Sequence, residues 1–189
     1  VLEEKDLDIC RCSFYKTDGK YAEPNIPEKE FGNKILEGED ILFPYFFDLT
    51  CKVVWNCVYK ADIVKGVEYP DRCHFGDNYT TGVYMYKAKR VMILNDILYY
   101  YWINPNSITN SGTRRLLDAS ICTQKLKTTL FKMGFNSIRL VKLLNMKLSY
   151  EIYNFILIEV PAYKVTAIHK ELKKFVENNL MKETKEDFL

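Results

Sequence analysis

Few side chains in this 189-residue chain have types and spacing suited to chemistry, and most of them are acids. Asp6-Leu7-Asp8 spells D-x-D, a pair that can hold a divalent cation when both carboxylates emerge from the end of an apolar strand. Here the pair precedes the apolar run 9–14, so it reads as a polar helix-to-strand turn. Glu37, Glu39 and Asp40 form a second acidic cluster, explained equally well as acids at the positive end of a helix. Asp77, in Phe75-Gly76-Asp77-Asn78, opens a helical segment. As an N-cap it has a structural role, and the helix N-terminus would hold its carboxylate ionised, as a proton acceptor needs. His74, three residues earlier, is a lone histidine beside a loop aspartate and reads first as polar surface. Cys10, Cys12, Cys51, Cys57, Cys73 and Cys122 contain no C-x-x-C pair, and only His74 and His169 stand beside them, which argues against zinc. Six reduced thiols, several buried, in a cytosolic protein is the simpler account.

The elements that must position these residues can be read from periodicity. Residues 1–7 resemble a helix end, and 8–15 a short apolar strand followed by an Asp18-Gly19 turn. Residues 21–34, with Pro24, Pro27 and Gly32, read as an exposed loop. A helix starts near Glu37 with Pro44 early in it, the apolar run 53–59 leads into a short helix at 60–65 stopped by Gly66, and 77–88 is the next helix. Residues 90–94 and 97–101 read as two strands around Asn95-Asp96. Tyr99, Tyr100 and Tyr101 alternate across the second, which puts at least one in the core. Beyond residue 110 the apolar period becomes helical: Leu116 to Met133 with Gly134 as the stop, then Ile138 to Phe155 with a break near Asn145, then a last helix from Pro161 faced by Val165, Ile168, Leu172, Phe175 and Val176.

Composition narrows the function classes. The chain is 48% hydrophobic and 28% charged, the range of ordinary globular domains rather than disordered ones. A net charge of +2 offers no basic excess for nucleic acid. No apolar run approaches the length of a membrane span, and no signal peptide is visible. Lys125, Lys127, Lys132, Arg139, Lys142 and Lys147 give the helical part a basic cast, read as a solvated face in preference to a contact with anionic lipid. Asn78-Tyr79-Thr80 fits a glycosylation sequon but carries no weight without a secretory signal.

Residues 55–109 are the informative stretch. Trp55-Asn56-Cys57-Val58-Tyr59-Lys60-Ala61-Asp62-Ile63 resembles the W-N-K-L-Y-R-R-E-I segment of bacterial family 2 glycosyltransferases. Val67-Glu68-Tyr69-Pro70 is similar to that family's I-R-F-P turn, and Phe75-Gly76-Asp77-Asn78 falls at its Y-E-D-V. Leu98-Tyr99-Tyr100-Tyr101-Trp102 and Ser107-Ile108-Thr109 resemble its L-Y-Y-Y-R and S-I-T signatures. Short matches in series at consistent spacing are more specific than any one alone. Residues 2–9 resemble the family's helix-to-strand junction after its metal-binding D-x-D.

The resemblance implies an α/β fold. Residues 1–111 would form the acceptor-side part of a GT-A-like domain, a partial mixed sheet with flanking helices, and 112–189 an all-α extension. It implies inverting transfer of a sugar from a nucleotide-sugar to the hydroxyl of a glycan or lipid-linked acceptor, in bacterial cell-surface polysaccharide assembly. The location implied is the cytoplasm, with peripheral contact at the inner face of the membrane. Asp77 takes the place of the catalytic base, and Gly76 replaces the family's Glu. Trp55 lines an acceptor or sugar pocket, although a tryptophan between apolar neighbours is equally a core residue; His74 would reach the diphosphate. The Mn²⁺ or Mg²⁺ of the full-length enzyme would be held by a donor half preceding Val1, with no cofactor in these residues, so they alone are expected to bind UDP and Mn²⁺ weakly. The strand 8–15 would then have an edge open to self-association. The alternative is a non-catalytic binding or scaffolding module that retains only the acceptor side.

Overall fold

The computed structural model describes residues 1–27, 29–47, 51–105, 107, 115–155, 170 and 174. The last predicted helix, the Ile108-Thr109 end of the S-I-T match and the boundary at 111/112 lie outside them. What is described is mixed α/β. The strands are β1 (Ile9–Thr17), β2 (Ala22–Asn25), β3 (Ile35–Glu37), β4 (Cys57–Tyr59) and β5 (Arg90–Trp102). The helices are α1 (Phe43–Phe47), α2 (Ala61–Val64), α3 (Gly76–Lys87), α4 (Arg115–Lys132) and α5 (Ile138–Asn154), with a 3-10 turn at Gly38–Ile41 before α1.

The chain enters through a helix-like closure. Leu7 N–H donates to the Leu2 carbonyl at 2.9 Å and Asp6 N–H to that of Glu3 at 3.1 Å, with Asp6 left-handed at φ 48°. That is a Schellman pattern. β1 follows at the centre of the sheet. It runs parallel to β5 on one side (Ile9↔Val91). Its other side is shared by two antiparallel strands, β4 at Ile9↔Tyr59 and β2 at Phe14↔Asn25. The edge at 8–15 predicted to be open is therefore filled from within the chain. β2 also corrects the reading of 21–34 as loop throughout. Pro24 suits an edge strand, where no ladder donor is needed, and Asp18 Oδ1 closes the hairpin by accepting from Lys20 and Tyr21 N–H, both at 2.8 Å.

β5 is one strand where two were predicted. Arg11 pairs with Ile93 and Ser13 with Ile97, so two steps along β1 match four along β5. Asn95 and Asp96 bulge outward, both exposed, instead of turning the chain. Continuing straight keeps both halves of β5 bonded to the same neighbour, whereas a reversal would give up that ladder.

Among the described residues, the helices cover the first half of β5. Ile9, Val91 and Ile93 share a core with Tyr45, Val83, Met85, Leu126 and Leu144, so α4 and α5 are packed into the same core as the sheet. Gly82 permits the α3–α4 approach: a Cβ there would lie 2.4 Å from Leu126 Cδ2. α4 ends at Gly134 (φ 90°) as its sequence indicated, with Phe135 N–H returning to the Leu130 carbonyl at 3.0 Å. α5 runs without the predicted break, because Asn145 spends its side-chain carbonyl on Lys127 Nζ at 2.8 Å. Lys127 and Lys147 are accordingly turned inward, Lys147 onto Glu151 at 2.5 Å, and not onto the solvated face expected of them. No described helix is long and apolar enough to cross a membrane.

Candidate functional site

Asp77 sits in the first turn of α3, behind a strained approach. Arg72 and Phe75 are both left-handed, at φ 50° and 59°, a region that bulky residues adopt at a cost. Phe75 occupies the N-cap position without a side-chain cap bond, so Asp77 is not the N-cap it was taken for. Its Oδ1 accepts from Asn78 N–H at 3.1 Å. Burial pushes the Asp77 carboxyl above its ordinary value, opposed by the Asn78 amide. The helix end does not depress this carboxyl, because desolvation opposes and outweighs it. Tyr45 supports this turn from α1, its hydroxyl donating to the Asn78 carbonyl at 2.7 Å. Asn78, Tyr79 and Thr80 are all buried, which shuts the sequon away from any modifying enzyme.

His74 and Gly76 flank the same turn. His74 N–H donates to Asp118 Oδ2 at 3.1 Å, and its half-buried ring places Nδ1 4.0 Å from the same oxygen. It rests against α4 and is not the plain surface group predicted. Gly76 is tightly backed: a Cβ would meet Pro70 Cδ at 3.3 Å and Tyr69 Cδ1 at 3.4 Å. A side chain in its place would need Pro70 to give by a few tenths of an ångström.

Trp55 belongs to a second group, over the far half of the sheet. Its ring stacks on Tyr99 (centroids 4.5 Å) and Tyr101 (5.1 Å, planes 10° apart) and meets Phe14 edge-on at 4.8 Å. Tyr99 and Tyr101 share a face because they are two residues apart in β5; Tyr100 points the other way, onto Tyr15. None of the three tyrosines is buried, against expectation, since this half of β5 lies beyond the described helices. Trp55 is half-buried, neither core nor fully exposed. Arg11 and Asn56 hold its segment in place. Arg11 Nη2 bonds the Val53 carbonyl and Asn56 Oδ1, and Asn56 Nδ2 donates to the Cys12 carbonyl at 2.8 Å. Among the described residues, no hydrogen bond, ion pair or ring contact joins Trp55 to His74, Gly76 or Asp77.

The D-x-D of the N-terminus is committed elsewhere. Lys60 Nζ lies 2.9 Å from Asp6 Oδ1 and 3.1 Å from Asp8 Oδ1. Asp8 Oδ2 also accepts from Lys89 and Arg90 N–H at 2.7 and 3.2 Å. A pair already neutralised by an ammonium does not fit a divalent cation. No group of three or more possible metal ligands occurs among the described residues.

Sequence reasoning missed Asp118, Tyr45 and the aromatic partners of Trp55. Asp118 carried no signal, being 44 positions from His74. Tyr99 and Tyr101 carried one in their i, i+2 spacing, but nothing pointed to Trp55 as their partner. No protein-family model matches the chain, and no curated protein matches its sequence.

Proposed function

We propose that this chain is the acceptor-side part of an inverting, nucleotide-sugar-dependent glycosyltransferase of the family 2, GT-A type, with Asp77 as its general base. In the step, an acceptor hydroxyl loses its proton to Asp77 and its oxygen attacks the anomeric carbon of the donor. The nucleoside diphosphate leaves from the opposite face, which inverts the configuration. The observation that carries the reading is the series of family-like segments around Asp77, together with a half-buried carboxyl in the first turn of α3 whose proton affinity is raised by burial. A base works best when its pKa approaches the working pH, and burial moves a carboxyl that way. The Trp55–Tyr99–Tyr101 face suits a sugar ring, because aromatic faces present apolar area beside polar tips. The donor sugar's diphosphate, and the divalent cation that neutralises it, would be held by residues preceding Val1.

The coding sequence upstream of Val1, and transfer by its product, test this directly. An apolar strand ending in D-x-D, and transfer of labelled sugar from a UDP-sugar to a membrane-extracted acceptor, support it. A stop codon immediately upstream, or a product that binds saccharide with no transfer from any nucleotide-sugar, favours the non-catalytic module instead.

A further inference from the structure

Two cysteines that the proposed transfer chemistry does not use lie side by side, one of them four residues before Asp77. Cys73 is in the segment leading into α3, and Cys122 is on α4, 49 positions away. Their sulfurs are 2.9 Å apart. Each thiol also points at a carbonyl of the facing segment, Cys73 at Asp118 (3.5 Å) and Cys122 at His74 (3.6 Å). Cys122 is fully buried, while Cys73 is half-buried and the more accessible of the two. Two thiols this close need move their sulfurs by only about 1 Å to reach the ~2.05 Å of a disulfide bond.

We propose that Cys73 and Cys122 form a redox-modification site, closed to a disulfide by exchange with a small disulfide of the glutathione class. The Cys73 thiolate attacks one sulfur of the small disulfide, forming a mixed disulfide and releasing one small thiol, which takes up the Cys73 proton. Cys122 then attacks the Cys73 sulfur; the new bond forms as the second small thiol leaves with the Cys122 proton. In sum the two protein thiols are oxidised and one small disulfide is reduced to two thiols. The hydrogen bond to Cys73, then burial, hold the Cys122 thiol well above its ordinary value. The first exchange falls to Cys73, the more accessible of the two, and the Cys122 sulfur, already beside it, is placed for the second. The closed bond ties the segment carrying His74 and Asp77 to α4. In a reducing compartment such a link is transient and responds to redox state. The proposal does not depend on the glycosyltransferase reading.

The test is peptide mapping of the intact 189-residue chain after incubation with oxidised glutathione and alkylation of remaining thiols. The result expected is a linked Cys73–Cys122 peptide lighter by two hydrogens, lost on adding dithiothreitol, with Cys10, Cys12, Cys51 and Cys57 alkylated. In Cys122→Ser, glutathione should remain on Cys73. Wild-type protein in which both cysteines stay alkylatable, keeps glutathione on Cys73, or links another pair such as Cys12–Cys57 overturns the proposal. The wild-type map decides the matter even if a serine variant folds poorly.

Discussion

Replacing Asp77 by Asn separates the proposed catalytic carboxylate from a merely buried one, because the two roles predict opposite effects. Asn keeps the shape of the side chain and its Oδ1, so the 3.1 Å bond from Asn78 N–H survives. What it loses is the capacity to take a proton. Losing a general base typically costs on the order of 10²–10⁴ in rate, about 2.7–5.5 kcal/mol of transition-state stabilisation. Stability should move the other way. The folded-state pKa of Asp77 is raised by burial, so folding is favoured while the group is protonated. That contribution is fully present below its ordinary value of 3.8 and is lost as pH rises through the raised folded value. At neutral pH the wild type therefore carries a buried charge that the variant does not. Asp77→Asn should have an unchanged or higher thermal midpoint at pH 7, and the difference should close in acid. Sugar transfer by the proposed donor-complete protein and thermal melts across pH, on the same two proteins, read both quantities. Turnover within a few-fold of wild type would retire Asp77 as the base, and a lowered midpoint at pH 7 would refute the burial argument.

Three further outcomes follow from packing and charge. Gly82→Ala gains about 1 kcal/mol of helix propensity but overpacks a buried contact at a typical cost of about 1–3 kcal/mol; the midpoint in thermal unfolding should fall or stay level, and Gly82→Val should fall further, whereas a clear rise in either would show that Leu126 can yield. Asp8 has a lowered pKa: burial raises it, but the Lys89 and Arg90 amides and Lys60 prevail. Its stabilisation is present above its ordinary 3.8 and lost as pH falls through the depressed folded value, so Asp8→Asn should cost roughly 1.5–3 kcal/mol in urea titrations at pH 7 and little in strong acid. Asn56→Ala strips bonds to Arg11 and the Cys12 carbonyl from a buried site; a loss of about 1–3 kcal/mol, with a change in Trp55 fluorescence, is the expected result, and unchanged fluorescence would mean that Asn56 does not position Trp55.

Local chemistry was enough to place most elements. The Asp18-Gly19 turn, the Gly134 stop, the apolar period of α4 and the helix opening near Asp77 rest on residues within a turn or two of one another, where sterics and backbone hydrogen bonding act without the rest of the fold. Tertiary structure decided whatever depended on distant partners. Asn95-Asp96 carries a turn signal, yet it bulges because β1 offers one continuous ladder on which both halves of β5 bond. Asn145 sits within a helix because Lys127, 18 residues away, takes its side chain. Asp77 has its proton affinity raised where its place in the sequence suggested the reverse, since burial is contributed by packing around it. The meeting of Cys73 with Cys122, and of Trp55 with Tyr99 and Tyr101, has no local signature at all; chain separation hides such contacts until the sheet and helices close the distance.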